Sequence, residues 1–215
     1  MFGPTASGKT DMAVRVLEDY PVELISVDSV MVYKDCDIGS AKPSNEVLRK
    51  YPHHLVNVES LENIFTVSDF CRESLKLIDK IHDNEKIPLF VGGSMMYFKS
   101  LFHGIHDLPG KDRDYREELN HLKNNNPKNY LYSLLKNIDS VYANQIEEND
   151  HIRIIRALEI YKQSNIKLSD IFKETPKNGI KNNFDVHQFG IHLGREIIHE
   201  RIKTRLIEMF DQGLI

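Results

Sequence analysis

The chain has 215 residues, 40% hydrophobic and 28% charged, a composition that excludes disordered and collagen-like classes and suits one large domain or a core with an insertion. No run approaches the roughly 18 apolar residues of a membrane helix, the first residues lack the regions of a signal peptide, and Cys36 and Cys71 are too few for a disulfide framework, so a cytoplasmic setting without a membrane partner is expected. The net charge of −4 argues against a generic nucleic-acid coat, but residues 151–215 carry 11 Lys/Arg against 8 Asp/Glu (net +3) while residues 1–150 carry 17 against 24 (net −7), which leaves room for a local basic face and contact with RNA.

The strongest motif stands almost at the start. Gly3-Pro4-Thr5-Ala6-Ser7-Gly8-Lys9-Thr10 fits the pattern G-x-x-x-x-G-K-[ST]. Its glycines let backbone N–H groups turn toward phosphate oxygens, and the helix expected over residues 10–20 points its positive end at them. Lys9 adds a mobile cation, and the Thr10 hydroxyl suits Mg²⁺. The pattern indicates phosphate or diphosphate binding without choosing a reaction, since kinases, NTPases and other transferases share it.

Residues 22–27 form a short apolar run, predicted as a buried strand that ends at Asp28. Ligands of open α/β sheets bind at that edge, so Asp28 is expected to face the phosphate loop. There it would hold Mg²⁺ through water or act as a general base; a plain cap or turn residue is the alternative. Residues 54–58 are a second strand candidate. Residues 68–82 have helical spacing through Phe70, Leu75, Ile78 and Ile81, with Ser68 as N-cap. A third strand over 87–91 ends at Gly92-Gly93-Ser94, where the glycines allow close backbone approach and Ser94 can donate to a phosphate, although a Gly-Gly pair is often only a turn. Another helix runs through Tyr97 and Leu101. Strands and helices in this rhythm mean a parallel sheet with helices on its faces.

The texture changes near His103. Residues 112–124, 129–137, 140–147 and 151–163 all read as helices, and no strand signal returns until 187–192. A last helix covers 195–210, its stripe Ile198, Ile202, Leu206 and Met209/Phe210 expected in the core. Arg201 and Arg205 stand one turn apart on it, and Glu208 and Asp211 suggest local ion pairs. Arg153 and Arg156 have the same spacing and on composition alone form a solvated face. His53-His54 lacks further metal ligands at suitable spacing. The expected organisation is an α/β core from 1–102 and 191–215, interrupted by an all-helical insertion over 103–190. Both chain ends read as cut, because two residues before Gly3 are too few for a strand.

Four stretches together resemble the tRNA dimethylallyltransferases, the tRNA isopentenyltransferase family. They are Gly3 to Thr10, Glu23-Leu-Ile-Ser-Val-Asp-Ser29, Tyr33 leading into Asp37-Ile-Gly-Ser-Ala-Lys-Pro43, and Pro88-Leu-Phe-Val-Gly-Gly-Ser-Met-Met-Tyr-Phe98. Asn149-Asp-His-Ile-Arg-Ile-Ile-Arg-Ala-Leu-Glu159 and Gly194-Arg-Glu196 agree as well. The resemblance implies an α/β, P-loop NTPase-like parallel sheet flanked by helices, with an all-helical insertion domain. It implies transfer of a dimethylallyl group from its diphosphate to the exocyclic N6 amine of the adenosine 3′ of the anticodon, in tRNAs reading codons that begin with U. The implied partners are the tRNA anticodon stem-loop and dimethylallyl diphosphate, with Mg²⁺ as cofactor and a monomeric chain.

By position, Gly3 to Thr10 would cradle the diphosphate and Thr10 would contact Mg²⁺. Asp28 would accept the adenine proton, Ser94 would lie near both substrates, and Arg195 would neutralise the leaving diphosphate. Asp28, Ser29, Val30, Met31, Ser94, Arg116 and the run Ile152, Arg153, Ile154, Ile155 and Arg156 would touch tRNA. Ser94 stands where the family usually has Thr, Met31 where many members have Gln, and the family pattern continues past Ile215. The alternatives are a small-molecule kinase using the same loop, a prenyltransferase acting on free adenine nucleotides, and a non-catalytic RNA-binding module, for which the diphosphate cradle would be superfluous.

Overall fold

The computed structural model describes all residues from Met1 to Ile215. They form two compact units, residues 1–104 with 179–215 and residues 105–178.

The first unit is organised on a parallel sheet. α1 (Lys9–Asp19) leads into β1 (Val22–Val27), and a short α2 (Asn45–Lys50) precedes β2 (His53–His54). α3 (Val67–Asp83) leads to β3 (Ile87–Gly92), which is followed by α4 (Met95–His103). The strand order is β2-β1-β3, all parallel, with Val22 opposite Ile87 and Val27 opposite Gly92. β1 is buried continuously from Leu24 to Val27, as a strand covered on both faces requires. Ala13 of α1 packs with Leu24 and Val91. A side chain at Gly92 would place its Cβ 2.0 Å from the Val27 carbonyl oxygen, so only glycine lets the two strand ends meet there.

Several local expectations shift for identifiable reasons. Leu55 and Asn57 take left-handed φ values of 61° and 57°, which stops the strand expected over 54–58 at His54. α3 starts before Ser68, because Thr66 and Asp69 make a reciprocal capping box. Residues 1–2 take a strand's place between β3 and the segment around Gly190. Phe2 bridges in parallel to Gly92 and to Gly190, its N–H donating to Phe189 O (2.9 Å) and its carbonyl accepting from Ile191 N–H (2.8 Å). Only Phe2 faces that segment, so the strand expected over 187–192 reduces to this bridge.

The second unit is helical: α5 (Arg113–Asn125), α6 (Tyr130–Ile138), α7 (Ser140–Ala143), α8 (His151–Ser164) and α9 (Leu168–Ile171). Leu119, Leu131, Leu135, Ile154, Leu158 and Ile160 are its fully buried core. Its two ends meet, since Ile105 and Lys177 exchange backbone hydrogen bonds of 3.1 Å in both directions. The insertion runs over 105–178 rather than 103–190, because Gly179 sits against the His103 backbone and Ile180 is buried in the first unit.

The first unit is completed by α10 (Arg195–Asp211). The expected core stripe is not buried: Ile202, Leu206 and Phe210 are 40–49% exposed and no residue of the helix is fully covered. Ile197 and Ile207 stand off the stripe, and no other helix or strand packs closely on it. No helix is long and apolar enough to cross a membrane.

Candidate active site

The phosphate loop has the backbone its sequence requires. Gly8 caps α1 with φ 83°, a left-handed conformation that glycine adopts without penalty. Ala6 is also left-handed, at φ 63°. Two such residues flanking Ser7 bend the chain into the kind of concavity whose N–H groups collect anions, at the N-terminal end of an 11-residue helix. Thr10 stands in the first turn of that helix. Lys9 folds back over the loop, its ammonium donating to Pro4 O (2.6 Å) and Ser7 Oγ (3.4 Å). These neutral acceptors compensate a cation only partly, so a phosphate can replace them. Burial depresses the Lys9 pKa, repulsion from Arg205 adds to the shift, and Asp28 opposes it.

Asp28 sits just past β1 and is held in one orientation. Its Oδ1 accepts from the N–H groups of Val30 (2.8 Å) and Met31 (3.1 Å). Both bonds go to Oδ1, which leaves Oδ2 as the outward oxygen. The Ser94 hydroxyl, expected to serve substrate, accepts the Ser29 N–H at 3.2 Å, and the Ser94 N–H donates to Val27 O at 3.2 Å. Ser94 therefore fixes the turn that presents Asp28. Tyr97 is buried against Phe70 with ring centroids 4.6 Å apart. Burial pushes its phenol up, and the neighbouring Tyr33 and Asp28 push it further.

α10 contributes the residues that the sequence reading left as surface ion pairs. Arg201 Nη1 donates to Ala6 O in the phosphate loop at 3.4 Å and lies 3.6 Å from where a Gly8 Cβ would be. Arg205 Nη2 donates to Ser40 O at 3.4 Å. Burial lowers the Arg205 pKa while Asp28 and Glu208 hold it up. Local pairing fails because the two guanidiniums are turned to backbone carbonyls elsewhere, Arg201 to Ala6 in the phosphate loop and Arg205 to Ser40. The spacing was visible in the sequence; its direction was not. Arg195, the arginine expected to meet the diphosphate, is exposed in the first turn of α10 and makes no hydrogen bond or ion pair. The charge of Asp28 thus acts on both Lys9 and Arg205, and Arg201 braces the loop.

In the helical unit, Glu159 is fully buried and accepts from Arg116 Nε (2.6 Å) and Nη2 (2.8 Å), from Arg156 Nη1, and from the Asp112 N–H (2.7 Å). Burial alone would raise its pKa, but these hydrogen bonds outweigh it and bring the carboxyl down to about 2. Arg156 also donates to Pro109 O (2.6 Å) and Gly110 O (3.2 Å). Arg116 and Arg156, both expected to touch tRNA, thus hold the unit together first. Ile154 of the same expected run is a core residue with no exposed surface, and Ile155 is half-buried. Ile152 is 85% exposed, and Arg153 carries only an exposed pair with Asp150 at 3.4 Å.

A profile of the IPP transferase family matches residues 31–215. The chain belongs to the IPP transferase family. It is 39% identical over 212 residues to tRNA dimethylallyltransferase 1 of Syntrophotalea carbinolica, covering 99% of this chain and 67% of that protein. The tRNA isopentenylpyrophosphate transferase of Bacillus halodurans superposes with a TM-score of 0.61 at 33% identity, covering 99% of this chain and 65% of the other. A eukaryotic dimethylallyltransferase captured acting on tRNA superposes with a TM-score of 0.80 at 28% identity, covering 99% and 52%. The chain therefore spans between about half and two thirds of these family members. The fold is that of these P-loop NTPase-like prenyltransferases; the family profile takes in β3 and the helical insertion, while the phosphate loop, β1 and Asp28 precede its first matched residue.

Proposed function

We propose that the chain carries the catalytic centre of a tRNA dimethylallyltransferase. It would move a dimethylallyl group from dimethylallyl diphosphate to the N6 amine of the adenosine 3′ of the anticodon. The observation that carries this reading is the pairing of a phosphate loop, left-handed at Ala6 and Gly8 with Lys9 folded over it, with a strand-end carboxylate whose Oδ1 is locked by two N–H groups.

The chemistry follows from the charges. The N6 lone pair attacks C1 of the allylic chain, the C1–O bond to diphosphate breaks, and its electron pair leaves with the diphosphate. Backbone N–H groups of the loop, Lys9 and Arg205 stabilise the charge that develops on the leaving oxygens. N6 must then lose a proton, and Oδ2 of Asp28 is the acceptor. The target adenine must be turned out of its loop stack to reach such a site, which an anticodon loop permits at low cost.

No group of three or more His, Cys, Asp or Glu residues offers a cage for a metal. The Thr10 hydroxyl suits a hard cation that keeps waters and leans on phosphate oxygens, which is the habit of Mg²⁺, and leaves Asp28 Oδ2 free for the proton. Bound beside Thr10, Mg²⁺ would supply positive charge to the diphosphate. Ser29, Val30 and the exposed Ile152 and Arg153 are the surfaces offered to tRNA.

The test is incubation with dimethylallyl diphosphate, Mg²⁺ and an unmodified anticodon stem-loop, followed by mass spectrometry of the RNA. Addition of one dimethylallyl group at the adenosine 3′ of the anticodon is expected. An unmodified RNA together with ATP-dependent phosphorylation of a small acceptor would replace this reading by that of a kinase.

A further inference from the structure

The stretch Asp37-Ile-Gly-Ser-Ala-Lys-Pro43 has no role in the chemistry above, yet it holds an almost fully buried ammonium group. The Lys42 side chain is 2% exposed, and lysine is almost never covered to that extent unless paired. Its Nζ donates to Tyr33 O (2.7 Å), Asp37 Oδ1 (2.7 Å) and Asn57 Oδ1 (2.6 Å). Three donors meet three acceptors, one of them charged, so the ammonium is fully satisfied and fixed in place.

Two arms lead from this junction to the reacting groups. Along the first, Asn57 donates its own N–H to Met31 O at 3.1 Å, and the Met31 N–H is one of the two that hold Asp28 Oδ1. Tyr33, whose carbonyl Lys42 engages, donates its N–H to Val30 O at 3.0 Å, and the Val30 N–H is the other. Along the second, Asp37 O accepts from the Lys42 N–H and from Ser40 Oγ, both at 3.2 Å, and Ser40 O is the acceptor for Arg205. Asp35, Ala41 and Asn57, all non-glycine, hold φ values of 65°, 50° and 57°. Such conformations persist only where surrounding contacts impose them.

We propose that Lys42 is a positioning residue for prenyl transfer: its ammonium fixes the segment 30–42 against residue 57 so that Asp28 and Arg205 address the same diphosphate site. This rests on the function proposed above, and the test separates the two. Calorimetry with inorganic diphosphate and Mg²⁺ reads the Arg205 arm without any reaction. Single-turnover prenyl transfer to an anticodon stem-loop reads the Asp28 arm.

Lys42→Met is expected to weaken inorganic diphosphate about tenfold, as Arg205→Ala does, and the double variant to lose no more than about threefold beyond the weaker single variant, because coupled sites are not additive. Its transfer rate should fall about 30-fold or more while the stem-loop KM stays within about threefold, the pattern of a lost transition-state interaction rather than lost binding. Additive losses in diphosphate affinity, or an unchanged transfer rate, overturn the proposal. If Lys42→Met does not fold, Asn57→Ala removes one acceptor and should shift both readouts in the same direction by less; no change in either overturns the proposal. If the wild-type chain transfers no prenyl group, that failure belongs to the functional reading, and the diphosphate titrations still decide whether Lys42 is coupled to Arg205.

Discussion

The cations beside the phosphate loop and those around Glu159 are used in opposite ways. In the α/β unit, Lys9, Arg201 and Arg205 rest mainly on neutral backbone carbonyls at Pro4, Ala6 and Ser40. In the helical unit, Arg116 and Arg156 are bound to a buried carboxylate, Glu159. A guanidinium on a carbonyl keeps most of its charge uncompensated and can exchange that partner for a phosphate. One on a buried carboxylate cannot leave without stranding a charge in the interior. Around the phosphate loop these cations are therefore left for a ligand, around Glu159 they serve the fold, and the acceptor tells which.

The first way to break this contrast is at the carboxylate of the α/β unit. Asp28→Ala is expected to lower the prenyl-transfer rate by about 10²- to 10⁴-fold, the range for loss of a general base, with stem-loop affinity by fluorescence anisotropy nearly unchanged. Equal losses in both would make Asp28 a structural residue.

Glu159 is the counterpart in the helical unit. Glu159→Gln leaves two arginines without their anion and should destabilise that unit by about 3–5 kcal/mol, measured by urea unfolding followed by circular dichroism. The sign of the pH dependence is fixed by the depressed carboxyl. The folded value of about 2 lies below the ordinary 4.5, so this stabilisation is complete above the ordinary value and is lost as pH falls through the folded one. An acid titration of the wild type should show helix loss in that window, and the Gln variant should lack the component.

Arg205→Ala sharpens the contrast within the α/β unit. It should reduce kcat/KM for dimethylallyl diphosphate by about 10²-fold, as removal of one donor to a developing anion does, and more than Arg195→Ala does. The reverse order would restore Arg195 as the arginine of the leaving group. The smallest effect belongs to Arg153. Its exposed pair with Asp150 is weak, so it can trade that partner for an RNA phosphate. Arg153→Ala should reduce the slope of log affinity against log salt by about one contact's worth.

What the sequence disclosed depended on how local the determining physics is. The phosphate loop, β1 with Asp28 and β3 with its terminal glycines were legible, because a glycine-lysine pattern and an apolar run ended by a carboxylate fix their own context. Three helices of the insertion were legible from their spacing and from the Asn, Pro and Asp punctuation between them, whereas the one expected over 140–147 stops at Ala143 and Leu168–Ile171 went unforeseen. The role of Arg205 was not, because Glu208 offered a local partner and only the packing of α10 against the loop decides between them. The fate of Arg116 and Arg156 was hidden for a similar reason. Glu159 is separated from Arg116 by 43 residues, and nothing in either segment alone marks it as the buried anion they share. The core assignment of the last helix failed because its apolar stripe, though continuous, has no helix or strand packed closely on it, and that a sequence pattern does not show.

The most direct test of the central claim is a single-turnover reaction with dimethylallyl diphosphate labelled separately in the allyl chain and in the diphosphate. The account requires the allyl label to appear on the stem-loop adenosine and the diphosphate label to appear free, in equal amounts and only when RNA is present, with Lys9→Ala suppressing both together. Release of diphosphate without labelled RNA, or transfer of the phosphorus label to an acceptor, would contradict it.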